Sequence, residues 1–417
     1  MKHIIKRGCF LTLMFMLLGC LSLYAADNDL ITRQITIQLE KAGTLPDRIG
    51  SSRKYTITNL KIIGEINGTD LRMIREMAGS NSTGNSTDGM LSVLDLSEAK
   101  IVEGGDCYYK DHYTSNDVIG SHAFSYCSGL TSLNLPAGIT EIQNDAFRNC
   151  SGLTSLNLPD GITEIGNNVF YGCSGLTSLT LPAGITSIGS RAFYGCSGLT
   201  SLNLPAGITS IGSEAFSGCS GLTSLNLPDG ITSIGDCAFI DCSGLTSLNL
   251  PAGITKIGWH AFDGCSGLTS LNLPAGITSI GIGAFYGCRR LTSLTLPAGI
   301  IWIAPDAFSH CFGLTSIYVY AEKVPYIGSN VFVGVDAKEC TLYVPMGTRD
   351  DYRLSGFGNY FENIVEFEAT GIDKTTTSTD VEEVGRYSVN GQRLSAPTKG
   401  LNIVKYSDGS VKKVAVR

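Results

Sequence analysis

From about Cys127 to Cys311 the apolar positions recur on a fixed step of 23 residues, each unit close to CSGLTSLNLPAGITSIGSRAFYG. In the unit beginning at Leu199 (LTSLNLPAGITSIGSEAFSGC), Leu199, Leu202 and Leu204 form an L-x-x-L-x-L strand pattern. Alternation over Ser201–Leu204 turns the two leucines inward and Ser201 and Asn203 outward. Pro205 cannot donate to a ladder and ends the strand, and Gly207 permits the turn. Ile208 and Ile211 then return to the core from a second short extended segment, which Gly212 breaks. Ala215, Phe216 and Cys219 predict a helical turn leading to the next leucine. Eight inward positions per unit gain enough apolar burial only when neighbours cover both faces, so one unit does not fold alone.

A fixed period of this length predicts a solenoid. Strands beginning at Leu91, the nine from Leu130 to Leu314, and Thr341 predict eleven rungs, about 4.8 Å apart and roughly 50 Å in all. Outside the period the chain divides further. Residues 1–25 read as an export signal, 26–90 as an N-terminal cap, and 91–367 as the solenoid with its C-terminal cap. Residues 368–380 (centred on TGIDKTTTSTD) read as a linker, and 381–417 as a small β tail with turns at Asn390-Gly391 and Asp408-Gly409. A loop from Glu103 to Asp117 interrupts the first rungs and holds Tyr108, Tyr109, His112 and Tyr113, which the sequence presents as an exposed aromatic patch.

Composition narrows the class. Charged residues are 16% of the 417, with a net charge of -7, so the chain lacks the basic stripe that nucleic acid requires. Lys2, Lys6 and Arg7 precede an apolar run from Cys9 to Tyr24 and then Ala25-Ala26, the order of a cleaved export signal. Leu17-Leu18-Gly19-Cys20 also resembles a lipobox, which would make a lipid anchor at Cys20 the one membrane contact. Nine cysteines stand 23 apart. Stacked about 4.8 Å apart they exceed the roughly 3.8 Å between bridged Cβ atoms, so they read as a column of small buried thiols rather than disulfides. Cys107, Cys237 and Cys340 lie off that column. The sequence contains no HExxH, GxSxG, P-loop or GxGxxG motif, and no enzyme, cofactor or metal centre is expected.

Leu-Thr-Ser-Leu-x-Leu-Pro, Gly-Ile-Thr-x-Ile-Gly and Ala-Phe-x-x-Cys together resemble the BspA-type leucine-rich repeat of bacterial surface proteins, across roughly residues 91–345. The flanks ITNLKIIGEINGTDLRMIREMAG and TLYVPMGTRDDYR resemble those seen in that family in gut and oral Gram-negative bacteria. The resemblance implies a right-handed, curved β-rich superhelix with a concave parallel sheet and short helical turns on the convex side. It also implies a non-catalytic role in adhesion to a host matrix protein or another cell-surface protein. The tail, through Val389-Asn390-Gly391 and GLNIVKYSDGSVKKVAV, is similar to type IX sorting domains.

Three sets of residues are candidates for ligand contact. The first is the loop with Tyr108, Tyr109, His112 and Tyr113, because it breaks the repeat. The second is the lattice of outward Ser and Asn on the face read as concave, centred on Ser201, Asn203, Ser224, Asn226, Ser247 and Asn249. These side chains could grip an extended glycan or protein strand, or they could simply solvate the sheet. The third is Trp259, read with Trp302 as equivalent variable positions two repeats apart. The expected function is that of an exported cell-surface leucine-rich-repeat protein mediating adhesion or ligand binding. A periplasmic or envelope scaffold and a polysaccharide-capturing accessory protein are the alternatives.

Overall fold

Identical repeats stack because each side chain lands on its own copy. Strand Ser201–Asn203 runs parallel to Ser224–Asn226 with Ser201 opposite Ser224, Leu202 opposite Leu225 and Asn203 opposite Asn226. All eight expected inward positions of that unit, Leu199 to Cys219, are buried, while Ser201 and Asn203 are exposed. The second side is also a parallel ladder, with Ser210–Ile211 between Ser187–Ile188 and Ser233–Ile234. A Cβ at Gly212 would stand 2.6 Å from the backbone of Gly189 and Ser190, so glycine lets the rungs close at this corner.

The third side differs from the helical turn expected. The N–H groups of Glu214, Phe216 and Gly218 donate to Asp236, Ala238 and Ile240 in the next rung, at 2.9, 2.8 and 2.8 Å. Those between them, of Ala215, Ser217 and Cys219, close turns onto Gly212, Glu214 and Phe216. A helix would direct all of its N–H groups along its own axis; here every second one bonds across the stack. The alternation needs left-handed backbone, and Glu214 (φ 56°) and Gly218 (φ 72°) supply it.

The computed structural model describes residues 30–368 and the strand residues 383–388, 393–394, 400–406 and 411–416. The expected export signal with Cys20, and the linker after 368, lie outside the described residues. The chain divides into a unit ending at Phe367 and one running from Glu368 to Arg417. Fourteen parallel strands line the first side of the larger unit, in hydrogen-bonded sheets of six and eight with a break between Ser178–Thr180 and Ser201–Asn203. The three beyond the eleven expected are Ile35–Leu39, Asn59–Ile66 and Asn363–Phe367. They pair in parallel with their neighbours despite having no repeat sequence, with one register shift between Lys61 and Ile63, because a parallel edge accepts any strand with the right alternation. The smaller unit holds a four-stranded antiparallel sheet, with Glu383–Ser388 between Arg393–Leu394 and Gly400–Tyr406, and Val411–Val416 outermost. Among the described residues no helix is long and apolar enough to cross a membrane.

Inside, the phenylalanines form a ring stack from Phe124 to Phe332, with successive centroids 5.2 to 5.8 Å apart. Beside it run the thiols. From Cys150 to Cys311 each Sγ donates to the carbonyl of the phenylalanine one rung back, Cys173 to Phe147 at 3.0 Å and Cys219 to Phe193 at 3.1 Å. Rings from the C-terminal segment close the stack: Phe357 and Phe361 pack on Phe332, and the Tyr352 hydroxyl donates to Ala321 O at 2.6 Å.

At the other end the helix Gly68–Met77 covers the first strands, capped by Asn67 and Asp70. The buried Asp70 carboxylate also accepts the Leu45 N–H at 2.8 Å. Arg75, fully buried, donates to His122 O (2.6 Å) and Ala123 O (3.0 Å), and its guanidinium lies over Tyr109 at 4.6 Å. One side chain thus ties the cap to the inserted loop and the first repeat. Arg75→Leu should strand both carbonyls and destabilise this end by about 3 kcal/mol or more. Hydrogen exchange should show 60–125 opening while the repeats beyond 170 stay protected; uniform protection would refute that role for Arg75.

Candidate functional site

The outer face of the first side is a regular polar surface. Threonines beside it spend their hydroxyls on the backbone one rung back, as Thr177 does on Thr154 O at 3.1 Å and Thr246 on Thr223 O at 3.3 Å. Among the described residues the side chains of Ser201, Asn203, Ser224, Asn226, Ser247 and Asn249 make no such bond. They stand exposed in two columns, with donors and acceptors open to solvent or ligand.

Toward the C-terminus the Asn/Thr column changes character. Register carries it from Thr295 to Tyr318, Tyr343 and Val365. The Tyr318 and Tyr343 rings stack at 4.4 Å, and Phe367 meets Tyr318 and Tyr320 edge-on at 5.9 and 5.1 Å. Tyr318, Tyr320, Tyr343 and Phe367 are all half-buried. Partial burial first, and the adjacent Tyr343 second, raise the Tyr318 phenol above its ordinary value. Sequence reading missed this platform. Its signal was present in aligning SIYV and TLYV with SLNL, which puts tyrosine where the repeats from 132 to 295 have asparagine or threonine.

The loop before the repeats is corrected by the structure. It folds as a short antiparallel pairing of Gly104–Tyr109 with His112–Thr114, packed against the helix Gly68–Met77. Tyr108 is buried, its hydroxyl donates to Ser121 O at 2.8 Å, and burial pushes the phenol up to about 12. Tyr109 is buried beneath Arg75, and half-buried His112 lies 5.3 Å from His122. Tyr113 alone of the four is exposed, at 60%. An aromatic hairpin over an apolar helix buries its rings; the expected exposed patch is instead mainly a clamp.

Trp259 is 60% exposed, at the turn after the second side. Trp302 is not its equivalent: it lies on the second-side strand opposite Ser279 and Tyr326, whereas the residue one repeat after Trp259 is Ile282. The two indoles therefore stand in neighbouring columns. Among the described residues no group of three or more His, Cys, Asp or Glu is placed to hold a metal ion.

Residues 117–246 and 238–347 match the BspA type leucine-rich repeat region, together more than half of the chain. Among solved structures, a leucine-rich repeat protein from Bacteroides ovatus is 27% identical, with 63% of this chain and 69% of that one covered at a TM-score of 0.52. A leucine-rich repeat protein of T. pallidum is 32% identical over 43% of this chain and 75% of that one, with a TM-score of 0.35. A leucine-rich cell surface protein from Faecalibacterium prausnitzii is 26% identical, covering 69% and 87%, at 0.34. No curated protein matches the chain.

Proposed function

Because the chain belongs to the BspA-type leucine-rich repeat family, we propose that it is an exported, surface-associated binding protein, non-catalytic, that adheres through the outer face of its first side. The carrying observation is the exposed Ser and Asn lattice that ends in the Tyr318–Tyr343 stack. Its partner is an extended segment of a host matrix protein or another cell-surface protein. The lattice supplies many weak, evenly spaced hydrogen bonds, and the tyrosines supply the anchor, since a large part of an interface's energy sits in a few aromatic residues. Export rests on the signal read in residues 1–25, with anchoring through Cys20 as a second route out of the cytoplasm. The sorting-domain resemblance of the tail is consistent with delivery to the surface.

Two measurements test this reading. Protease shaving of intact cells should remove the solenoid; protection until lysis, with a known surface protein shaved in parallel, would refute surface display and favour an envelope scaffold. Purified wild-type protein should bind immobilised matrix proteins, and Tyr318→Ala/Tyr343→Ala should weaken that binding at least tenfold, the scale of an interface anchor. Asn203→Ala/Asn226→Ala should give a smaller loss. Binding unchanged in both double variants would remove this face from the function.

A further inference from the structure

Exposed large apolar side chains are distributed unevenly. From Tyr126 to Trp259 none occurs between those two residues, and ten of the fourteen among the described residues lie at Trp259 or beyond. On the second side this change creates a groove. Its floor is formed by Gly258 and Gly281, where a Cβ at Gly281 would meet Gly258 O at 2.7 Å, and by Ala304 and Pro305 one rung on. One wall carries Lys256, Ser279 and Trp302; the other carries Asp236, Trp259 and Ile282. Earlier rungs have Glu, Ser or Asn in these two columns, as at Glu164, Ser187, Asn167 and Ser190. The groove encloses about 380 Å³. Tyr326, 75% exposed, extends the Trp302 wall by one rung, its ring 5.7 Å from the indole.

We infer that this groove binds an extended neutral glycan, at a site separate from the adhesive face proposed above. Three observations select that occupant. The floor offers little strand edge to a peptide: Gly281 N–H donates to Ile257 O, Trp259 N–H donates to Asp236 Oδ1 at 2.8 Å, and Pro305 has no N–H to give. Recognition must come from side chains. Those present are two indoles for the apolar faces of pyranose rings, with a carboxylate, an ammonium and serine hydroxyls beside them for sugar hydroxyls. The one Asp and one Lys lining it cancel in charge, which disfavours a polyanion. Spacing agrees: Trp259 and Trp302 lie two rungs apart, about 9.6 Å along the stack, close to the length of a disaccharide unit in an extended β-linked chain.

The chain has two tryptophans, so indole fluorescence reports this groove and nothing else. Full-length wild-type protein would be titrated with cellohexaose, mannohexaose and xylohexaose, and with polygalacturonate as an anionic control. At least one neutral hexasaccharide should give a saturable blue shift. The same sugar, followed by calorimetry, should bind Trp259→Ala and Trp302→Ala at least tenfold more weakly, and Tyr318→Ala/Tyr343→Ala with wild-type affinity. Both indoles lie outside the phenylalanine stack, so these variants retain the core. Absence of a shift with all three neutral sugars would overturn the proposal. So would a response confined to polygalacturonate, or sugar binding indifferent to both tryptophan substitutions. None of these outcomes bears on matrix-protein binding at the tyrosine platform.

Discussion

Above about pH 9 the reduced protein should lose stability steeply, and the thiol column sets the slope. Burial pushes Cys127 up to about 11 and Cys173 and Cys219 up to about 12, and it holds Cys150, Cys196 and Cys242 well above the ordinary thiol value. A raised value in the folded chain means that the folded state keeps protons the unfolded state gives up. The stabilisation is therefore complete below the unfolded thiol value near 8.5 to 9 and is lost as pH rises toward the folded values. Each thiol removes about 1.4 kcal/mol per pH unit, so six unfolding together remove about 8. Urea unfolding followed from pH 7 to 10.5 measures this directly. Cys173→Ala/Cys219→Ala should shallow the slope by about 2.7 kcal/mol per pH unit, whatever it does to stability at pH 7. A slope the double variant leaves unchanged would show that tyrosines and lysines, not the column, govern the alkaline limb.

Phe216→Ala is expected to cost about 3–5 kcal/mol, the range for deleting a buried aromatic that leaves a cavity. The Phe216 ring lies between Phe193 and Phe239, with centroids 5.2 Å away on both sides, so its loss removes two stacking contacts as well as its own burial. A solenoid rung touches only its neighbours, so the weakness should be local in sequence and should divide the array. Two unfolding transitions should replace one, with hydrogen exchange placing the boundary near residue 216. Phe332→Ala, at the capped end, should shorten the array from one side instead of dividing it. A single transition with a loss below about 1 kcal/mol for Phe216→Ala would mean that the inter-rung backbone ladders hold the stack without the rings.

The repeat was legible because every rung solves the same packing problem with the same residues. Inward Leu202, Leu204, Ile208, Ile211, Ala215, Phe216 and Cys219 follow from alternation and from the turn chemistry of Pro205, Gly207 and Gly212, which are local properties. The outward Ser201 and Asn203 columns follow from the same arithmetic. The third side was misread as helical because its apolar spacing suits a helical turn, while the bonds that decide it, such as Phe216 N–H to Ala238 O, run to another rung.

Where the period fails, local pattern ceased to be a guide. Ile35–Leu39 and Asn59–Ile66 became rungs because the sheet edge beside them was open, which no property of either segment states. Tyr108 and Tyr109 went inside because Arg75 and its helix, more than thirty residues earlier, needed a cover, and a charged side chain so deeply buried requires acceptors from several segments at once. The alignment of Tyr318 over Tyr343, and the groove between Trp259 and Trp302, depend on which rung lies over which. The sequence by itself determined the period, the buried face and the polar lattice, because each is set within one turn of chain. Only the tertiary structure decided the number of rungs, the sealing of the ends and the meeting of the aromatics, because those depend on contacts between turns that the repeat does not encode.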